Sequence, residues 1–259
     1  MDPNLDGKVA WVTGASGAIG RAIAVALAEQ GAQTVLTSRG EASLMRIAGD
    51  IAKAGGRAPS IEPADVTRRD HVEAVAARII AAFDRIDILV NSTTVPIFGD
   101  FLTLTDEEWE RVIQTKYLGY VRTLRAVLPH MVRQREGRIV NISGGGGKTP
   151  SPEHLPGGGV NAAVNHLTKG LATIYAPHNV RINAVAPGPI ASERLARIAQ
   201  VRGQNPHLAE TARSIAATPM GRPGDPREVA DAVLYLVSDR STFITGVLLP
   251  VDGGRMPTI

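Results

Sequence analysis

The sequence predicts an α/β fold in which a doubly wound parallel sheet carries helices on both faces. Two observations lead to this prediction. Short apolar runs alternate with amphipathic, alanine-rich segments, and the first apolar run ends in a glycine-rich turn that opens a helix. The 259 residues contain no proline-, serine- or glycine-rich linker, so we expect a single domain over residues 1–259.

Composition and charge narrow the class of protein. The formal net charge is +3, and lysine and arginine are scattered among acidic residues, which argues against a nucleic-acid partner. Without cysteine the chain has neither disulfides nor thiolate metal sites, and we expect no metal. No apolar run approaches the roughly 20 residues of a membrane span, and no basic segment precedes an apolar one at the start. A cytoplasmic protein without membrane association is therefore the default expectation.

The first predicted strand and helix enclose a glycine fingerprint. A strand over 8–13 is followed by Gly14-Ala-Ser-Gly-Ala-Ile-Gly20 and a helix over 21–30. Glycines at this spacing let the backbone approach a pyrophosphate, and the helix N-terminus then directs its free amides at the negative charge. The pattern favours a dinucleotide over the alternative of a plain tight turn. The predicted cofactor contacts in this turn are Gly14, Ser16, Gly17, Ile19 and Gly20.

The second predicted strand, over 34–38, indicates which dinucleotide is bound. Folds that prefer NAD usually end this strand with an acid that accepts hydrogen bonds from the ribose hydroxyls. Ser38 and Arg39 stand there instead, and a guanidinium can pair with a 2′-phosphate. We therefore predict NADP(H) in preference to NAD(H), with Arg39 as a solvated loop charge as the alternative.

The next elements complete the first half of the sheet. A helix over 41–54 leads to a short strand that ends at Asp65 and Val66, and Asp65 is expected to cap the following helix, over 69–83, to contact the adenine, or both. The fourth strand, over 86–91, ends at Asn91 beneath the expected nucleotide. A long helical segment over 106–135 contains Lys116, and Pro129 is expected to kink or end a helical piece near its end.

The second half carries the expected reaction site. A strand over 138–142 runs into a glycine- and proline-rich loop and then a helix, a layout in which α/β enzymes place reacting groups. After a strand over 180–186, the turn at 187–192 leaves the sheet where a nicotinamide ring would sit. A charged helical segment follows, and we interpret about 189–218 as a substrate lid. Its mixed apolar and cationic residues include Arg194, Leu195, Arg197 and Ile198. A helix over 226–238 and a strand within 246–254 close the chain.

Together these segments resemble the short-chain dehydrogenase/reductase family, from Gly7 to Gly254. The motifs that carry the resemblance are the turn from Thr13 to Gly20, Asp65-Val66, Asn91, Pro187-Gly188 with Ser192 where the family usually has threonine, and Val251-Asp-Gly-Gly254. The resemblance implies a single Rossmann-like domain of about seven strands, hydride transfer between an alcohol and a ketone, and a homo-oligomer, which we expect to be a homotetramer. The further implied cofactor contacts are Ser38, Arg39, Asp65, Val66, Asn91, Asn161, Pro187, Gly188, Ile190 and Ser192.

The catalytic side chains that the resemblance implies are absent. The family has a serine after the fifth strand, a tyrosine, a lysine four residues beyond it, and an asparagine on the preceding helix, which together stabilise and protonate the developing alkoxide. In this sequence the four positions fall on Gly144, Gly157, Asn161 and Lys116. Small residues at these positions predict a widened pocket. The candidates for a replacement chemistry are Lys116, His154 and Ser143.

Each candidate has a plain alternative. Lys116 would bind the ribose or polarise a carbonyl, or else direct its charge to solvent. His154 would donate the proton, or else be an exposed loop histidine without a catalytic role. Ser143 lies one residue early, and adjacent strand residues point to opposite faces. Asn161 would hydrogen-bond the ribose, or else cap a helix.

Three functions follow from these observations. The leading interpretation is an atypical NADP(H)-dependent oxidoreductase that acts on a carbonyl, alcohol or enone small molecule. The second is a cofactor-binding pseudoenzyme or oligomer subunit, because losing groups that act as a unit removes most proton-transfer catalysis. Non-redox lyase or isomerase chemistry on the same scaffold is less favoured, since the glycine fingerprint is intact.

Overall fold

The computed structural model describes residues 4–192, 195 and 218–257. Seven parallel strands form one sheet in the order β3-β2-β1-β4-β5-β6-β7. The strands are β1 (Val9–Thr13), β2 (Gln33–Thr37), β3 (Ser60–Ile61), β4 (Ile88–Asn91), β5 (Gly137–Ile142), β6 (Val180–Pro187) and β7 (Leu248–Val251). Because β1 pairs with both β2 and β4, the strand order reverses between β1 and β4, which confirms the doubly wound sheet.

Helices cover both faces of the sheet. They are α1 (Ala18–Glu29), α2 (Glu41–Lys53), α3 (Arg69–Phe83), α4 (Asp106–Val112), α5 (Leu118–Gln134), α6 (Leu155–Tyr175) and α7 (Pro226–Val237). Alternate residues of a strand point to opposite faces. Ala10 and Val12 of β1 therefore pack with α1, α2 and α7, whereas Val9 and Trp11 pack with α3, α5 and α6. This burial on both faces explains why the strands are almost continuously apolar.

The segment predicted as one helix over 106–135 is three pieces. A capping box starts α4, in which the Thr105 side chain accepts from the Glu108 amide and the Glu108 carboxylate accepts from the Thr105 amide. A π-helical turn, Ile113–Tyr117, then separates α4 from α5. The helix does not end at Pro129, because α5 continues through it to Gln134. The irregularity therefore lies at the π turn, which carries Lys116.

In the part of the chain that the structure describes, no helix has the length and apolarity needed to cross a bilayer. Nor do three or more histidine or acidic side chains cluster there in a way that could hold a metal ion. Of the lid residues predicted from sequence, Arg194, Arg197 and Ile198 lie outside the described residues.

Candidate active site

The glycine turn lies at the carboxyl edge of the sheet, where the strand order reverses. Gly14 has a positive φ of 66°, and a Cβ there would lie 2.6 Å from the carbonyl carbon and oxygen of Ser92. A Cβ at Gly20 would lie 2.3 Å from the Gly14 oxygen. Only glycine therefore allows the turn to fold onto itself and onto the end of β4. These contacts hold the N-terminus of α1 at the strand ends.

The middle glycine of the turn has a different reason to be glycine. Gly17 is the N-cap of α1, and no side chain caps the first amides of that helix. A Cβ at Gly17 would meet only the Gly14 oxygen at 3.5 Å, which is an ordinary contact. The protein itself therefore does not require glycine there. A ligand that approaches the backbone closely does, and uncapped helix amides are suited to a phosphate.

The end of β2 holds the two residues predicted to recognise the adenosine ribose. Ser38 is buried, and its Oγ has no hydrogen-bond partner among the described residues. The next residue, Arg39, is exposed. Partial burial acts to raise the pKa of the nearby Asp65 carboxyl, but hydrogen bonds from Thr67 and the charges of Arg39 and His71 hold that pKa below its ordinary value. Arg39 is thus close enough to Asp65 to affect its carboxyl, so these two predicted cofactor contacts lie in the same part of the site.

Asp65 and Val66 stabilise the connection that leads to α3. The Asp65 carboxylate accepts a hydrogen bond from the Thr67 amide at 2.9 Å. The N-cap of α3 is Arg68, without a side-chain cap, so the expectation that Asp65 caps this helix is wrong. Val66 is buried against Gly119 of α5, where a Cβ would lie 3.0 Å from the Val66 Cγ2.

A chain of buried amides and hydroxyls ties the strand ends together. The Asn91 amide donates to Asn141 Oδ1 at 3.0 Å, and the Asn141 amide donates to Thr168 Oγ1 of α6 at 3.0 Å. Asn91 Oδ1 accepts from Thr13 Oγ1 at 3.2 Å and from Thr123 Oγ1 at 2.8 Å. The Asn91 side chain is thus used inside the protein, where it supports the floor of the site.

The π turn places a buried lysine amine under the end of β5. Lys116 is only 5% exposed, and its Nζ donates to the Ser143 carbonyl oxygen at 2.9 Å. The alternative in which Lys116 directs its charge to solvent therefore does not hold. Tyr120, one turn later, donates its hydroxyl to the Ile142 oxygen at 2.9 Å. Burial raises the pKa of the Tyr120 phenol far above its ordinary value, so it remains a neutral donor.

Ser143 joins β5 to its neighbours through every polar group. Its hydroxyl donates to Asn165 Oδ1 at 2.6 Å and lies 3.3 Å from the Asn161 carbonyl oxygen. Its amide donates to the Val185 oxygen at 2.8 Å, and its carbonyl accepts from Lys116. The hydroxyl is turned towards α6, so we place Ser143 in the support of the site.

The glycines at the replaced positions do not leave a widened pocket. A Cβ at Gly144 would lie 2.7 Å from Asn161 Nδ2, and one at Gly147 would lie 2.8 Å from the Ala162 amide nitrogen. The loop after β5 therefore lies with its backbone against α6. At Gly157 the space is filled differently, by the imidazole of a residue three positions earlier.

That residue, His154, is half-buried rather than an exposed loop histidine. Its ring stacks on Phe98, with ring centroids 4.2 Å apart and ring planes inclined by 17°. Its Nδ1 lies 3.0 Å from the Ile97 carbonyl oxygen. The loop after β4 is further attached by a hydrogen bond of 3.0 Å from the Gly99 amide to the Glu153 oxygen.

Asn161 lies in the interior of α6, which begins at Leu155, so the helix-cap alternative is wrong. The residue is buried, and its Oδ1 has no hydrogen-bond partner among the described residues. Buried polar atoms are nearly always hydrogen-bonded, so such an atom calls for an explanation. Gln30 Oε1 and Thr34 Oγ1 are in the same condition, but they lie at the amino edge of the sheet.

Two such atoms at the carboxyl edge, Ser38 Oγ and Asn161 Oδ1, lie on either side of the glycine turn. Ser38 follows β2, on one side of β1, whereas Asn161 lies against the end of β5, on the other side. A nicotinamide dinucleotide bound at the switch point has a ribose on each side of its pyrophosphate. The residues present therefore fit such a cofactor.

The turn after β6 forms the remaining side of the site. The Gly188 amide donates to the Val251 oxygen at 2.9 Å, and a Cβ at Gly188 would lie 2.7 Å from the Asp252 Cα. Ile190 is buried. Ser192 Oγ accepts from the Leu195 amide at 3.2 Å. The turn from Pro187 to Ser192 is thus fixed by the end of β7 and by its own hydrogen bonds.

Three residues near the site were missed from the sequence. Asn165 lies four positions after Asn161 and so shares its helix face, which is a signal that was available. Phe98 and Met256 carried no such signal. The Met256 side chain lies 3.7 Å from where a Cβ on Gly145 would be, and only the path of the chain after β7 brings it there.

Comparisons with known proteins agree with this geometry. A family model described as enoyl-(acyl carrier protein) reductase matches residues 14–255. The 3-oxoacyl-[acyl-carrier-protein] reductase FabG of Thermotoga maritima is 33% identical over 254 residues, which cover 96% of this chain and 98% of that protein. The structure of L-sorbose reductase from Gluconobacter frateurii, complexed with NADPH and L-sorbose, superposes with a TM-score of 0.92 at 29% identity over 100% of both chains. NAD+-bound xylitol dehydrogenase gives a TM-score of 0.88 at 29% identity, over 96% of this chain and 99% of that one.

Proposed function

Because the chain belongs to the short-chain dehydrogenase/reductase family of oxidoreductases, we propose that it is an NADP(H)-dependent enzyme acting on a carbonyl or alcohol group of a small molecule. The observation that carries the proposal is the pair of buried atoms Ser38 Oγ and Asn161 Oδ1, on the two sides of the glycine turn, which have no hydrogen-bond partner among the described residues. When bound, the cofactor would supply or accept a hydride at its nicotinamide ring.

The proposal assigns each side of the site to a part of the cofactor. The uncapped N-terminus of α1 and the turn from Gly14 to Gly20 would hold the pyrophosphate. Asp65 and Val66 would border the adenine. Asn161 would hydrogen-bond the nicotinamide ribose. The remaining contacts to the nicotinamide side would come from Pro187, Gly188, Ile190 and Ser192.

The preference for NADP(H) rests on charge at the end of β2. Arg39 is exposed there and follows Ser38, with no acid at the strand end to accept hydrogen bonds from ribose hydroxyls. A guanidinium can form two parallel hydrogen bonds with a phosphate, which an unphosphorylated ribose does not offer. The similar structures were solved with NADPH in one case and NAD+ in another, so this charge supplies the argument.

Lys116 and Ser143 are proposed as positioning residues. The Lys116 amine donates to the Ser143 carbonyl at 2.9 Å, immediately before Gly144. It thereby fixes the point where the loop leaves β5. When protonated, Lys116 would also place a positive charge under the site, which favours an oxygen that becomes negative during reaction.

The test of the cofactor assignment is a pair of fluorescence titrations with NADPH and NADH. Arg39→Ala is expected to weaken NADPH binding about 10- to 100-fold, the range for a lost charge-assisted hydrogen bond, and to leave NADH binding unchanged. Arg46→Ala removes an exposed arginine of the adjacent helix α2 and serves as the matched control. Equal losses in both variants, or tighter binding of NADH by the wild type, would refute the NADP(H) preference.

A second function, a cofactor-binding pseudoenzyme or oligomer subunit, is favoured by the replaced side chains at positions 116, 144, 157 and 161. Turnover separates the two functions. The probes are NADPH with acetoacetyl-CoA or L-sorbose, and NADP+ with xylitol, each followed by absorbance of the reduced nicotinamide. Reduction or oxidation of any probe supports the enzyme, whereas tight NADPH binding with no turnover of any probe supports the pseudoenzyme.

A further inference from the structure

We propose that His154 is the proton donor of this site, and that Gly157 is glycine because the imidazole occupies the space of its missing side chain. The inference rests on the proposed function, since a proton donor has a role only if hydride is transferred. In this proposal the imidazole of His154 takes the role of the tyrosine that the family has at position 157. Its support comes from the space over Gly157, the tautomer of the ring and the position of Nε2.

The imidazole of His154 occupies the space over Gly157. A Cβ at this residue would lie 2.1 Å from both Cε1 and Nε2 of His154 and 2.9 Å from its Nδ1. Any other residue at this position must displace the ring. Gly159, two positions further along α6, would place its Cβ within 4 Å of nothing. Since glycine is a poor helix former, the ring supplies a packing reason for Gly157 that Gly159 does not have.

The contacts of the His154 ring determine its tautomer and its orientation. A carbonyl oxygen only accepts hydrogen bonds, so the contact of 3.0 Å between Nδ1 and the Ile97 oxygen requires a hydrogen on Nδ1. Nε2 is then the nitrogen that gains and loses a proton when the imidazole titrates. The stack on Phe98 fixes the plane of the ring. The structure thus holds the ring in a single orientation with its titrating nitrogen over α6.

Nε2 of His154 lies on the same face of α6 as the proposed cofactor contact, Asn161. Gly157 precedes Asn161 by four residues, so the two share one face of α6. That face meets the end of β5 at Gly144, where the Asn161 carboxamide lies. Nε2 is therefore on the side of the helix that carries the proposed contact to the nicotinamide ribose. A carbonyl presented to the ring from this edge would meet the imidazole.

His154 would supply the proton that reduction of a carbonyl needs. The bound cofactor would supply hydride to the carbonyl carbon, and the π electron pair of the carbonyl would move to its oxygen. That oxygen would take the proton from Nε2 of the imidazolium, which leaves an alcohol and a neutral imidazole, and water would restore the proton. Oxidation of an alcohol runs in the opposite direction, with neutral Nε2 as the base.

This role fixes the sign of the pH dependence. Reduction needs the protonated ring and oxidation the neutral ring, so the reduction rate should fall and the oxidation rate should rise as the pH rises through the titration of the imidazole. Within the part of the chain that the structure describes, the adjoining segments carry the charged residues Glu153 in the same turn, Asp100 in the loop after β4 and Lys148 in the loop after β5.

The structural part is tested without substrate. Nitrogen-15 NMR of the histidine side chains at alkaline pH is expected to show His154 as the tautomer with hydrogen on Nδ1. Gly157→Ala is expected to change the His154 signals, whereas Gly159→Ala is expected to leave them unchanged. A tautomer with hydrogen on Nε2, or equal effects of the two alanines, would overturn the proposal.

The catalytic part is tested on the probe that the wild type turns over. His154→Gln is expected to lower kcat about 100-fold, to keep the NADPH Kd, and to remove the neutral-pH limb of the rate profile. His166→Gln changes an exposed histidine of α6 and is expected to keep the wild-type rate. In His154→Ala, added imidazole is expected to restore part of the rate.

The outcomes separate this inference from the proposed function. A wild type that binds NADPH and turns over no probe refutes the enzyme function, and the proton donor with it. A wild type that turns over a probe, together with a His154→Gln variant of unchanged kcat and pH profile, refutes the role of His154 alone. A loss of rate without any change in the pH profile would assign His154 a packing role and also refute the proposal.

Discussion

Replacing Gly14 by alanine tests the contact that holds the glycine turn on the end of β4. Two costs are expected. A left-handed φ of 66° is strained for alanine by about 1–2 kcal/mol. The new Cβ would also lie 2.6 Å from the Ser92 carbonyl carbon and oxygen and 2.8 Å from the Thr93 amide nitrogen. Because these are backbone atoms, the strand end must shift, which adds about 1–3 kcal/mol.

Gly7 provides the matched control. Its φ is 73°, and a Cβ there would meet nothing within 4 Å. Gly7→Ala should therefore show the cost of the backbone conformation alone, about 1–2 kcal/mol. The free energy of unfolding is measured with urea, using the fluorescence of Trp11, which is buried in β1 and donates to Thr37 Oγ1 at 2.9 Å.

An equal loss of stability in the two variants would mean that a side chain at position 14 does not contact the residues at the end of β4. NADPH titration gives a second readout. The Kd should rise in Gly14→Ala, where the turn must move, and remain unchanged in Gly7→Ala. An unchanged Kd in Gly14→Ala would show that the turn does not take part in cofactor binding.

Two further predictions concern carboxylates away from the reacting atoms. Asp87 is buried and accepts from the Val9 amide and from Arg85 Nε, each at 2.8 Å, so Asp87→Ala should lower the free energy of unfolding by about 3 kcal/mol in urea titration; a loss below about 1 kcal/mol would contradict this. The pKa of Asp65 is lowered in the folded protein, so its carboxylate stabilises the fold above the unfolded pKa and loses that contribution as the pH falls through the folded pKa. Urea midpoints measured from about pH 5 down to about pH 2 should therefore fall less steeply in Asp65→Asn than in the wild type, and equal slopes would contradict this expectation.

Most of the fold could be predicted from local patterns. Strands β1, β4, β5 and β6 are largely apolar and buried along almost their whole length, and the helix predicted over 69–83 agrees with α3 at both ends. The break at Ile113–Tyr117 could not be predicted, because a π turn has no glycine or proline to announce it. Its cause lies in the tertiary structure, where Lys116 and Tyr120 both bond to carbonyls at the end of β5.

The sequence places the candidate site at the carboxyl edge of the sheet, but it does not predict what fills that site. Positions 144, 157 and 161 lack the expected side chains, and the sequence alone predicts empty space there. A close-packed interior fills such space from elsewhere. The backbone at Gly147 lies against α6. His154 ends a short 3₁₀ turn, Pro152–His154, just before the helix, and its ring lies over Gly157, three residues further along the chain. Gly157, unlike Gly159, is therefore a helix glycine whose side-chain space is occupied, and the occupant is an imidazole whose Nδ1 lies 3.0 Å from the Ile97 carbonyl oxygen and whose Nε2 lies against α6.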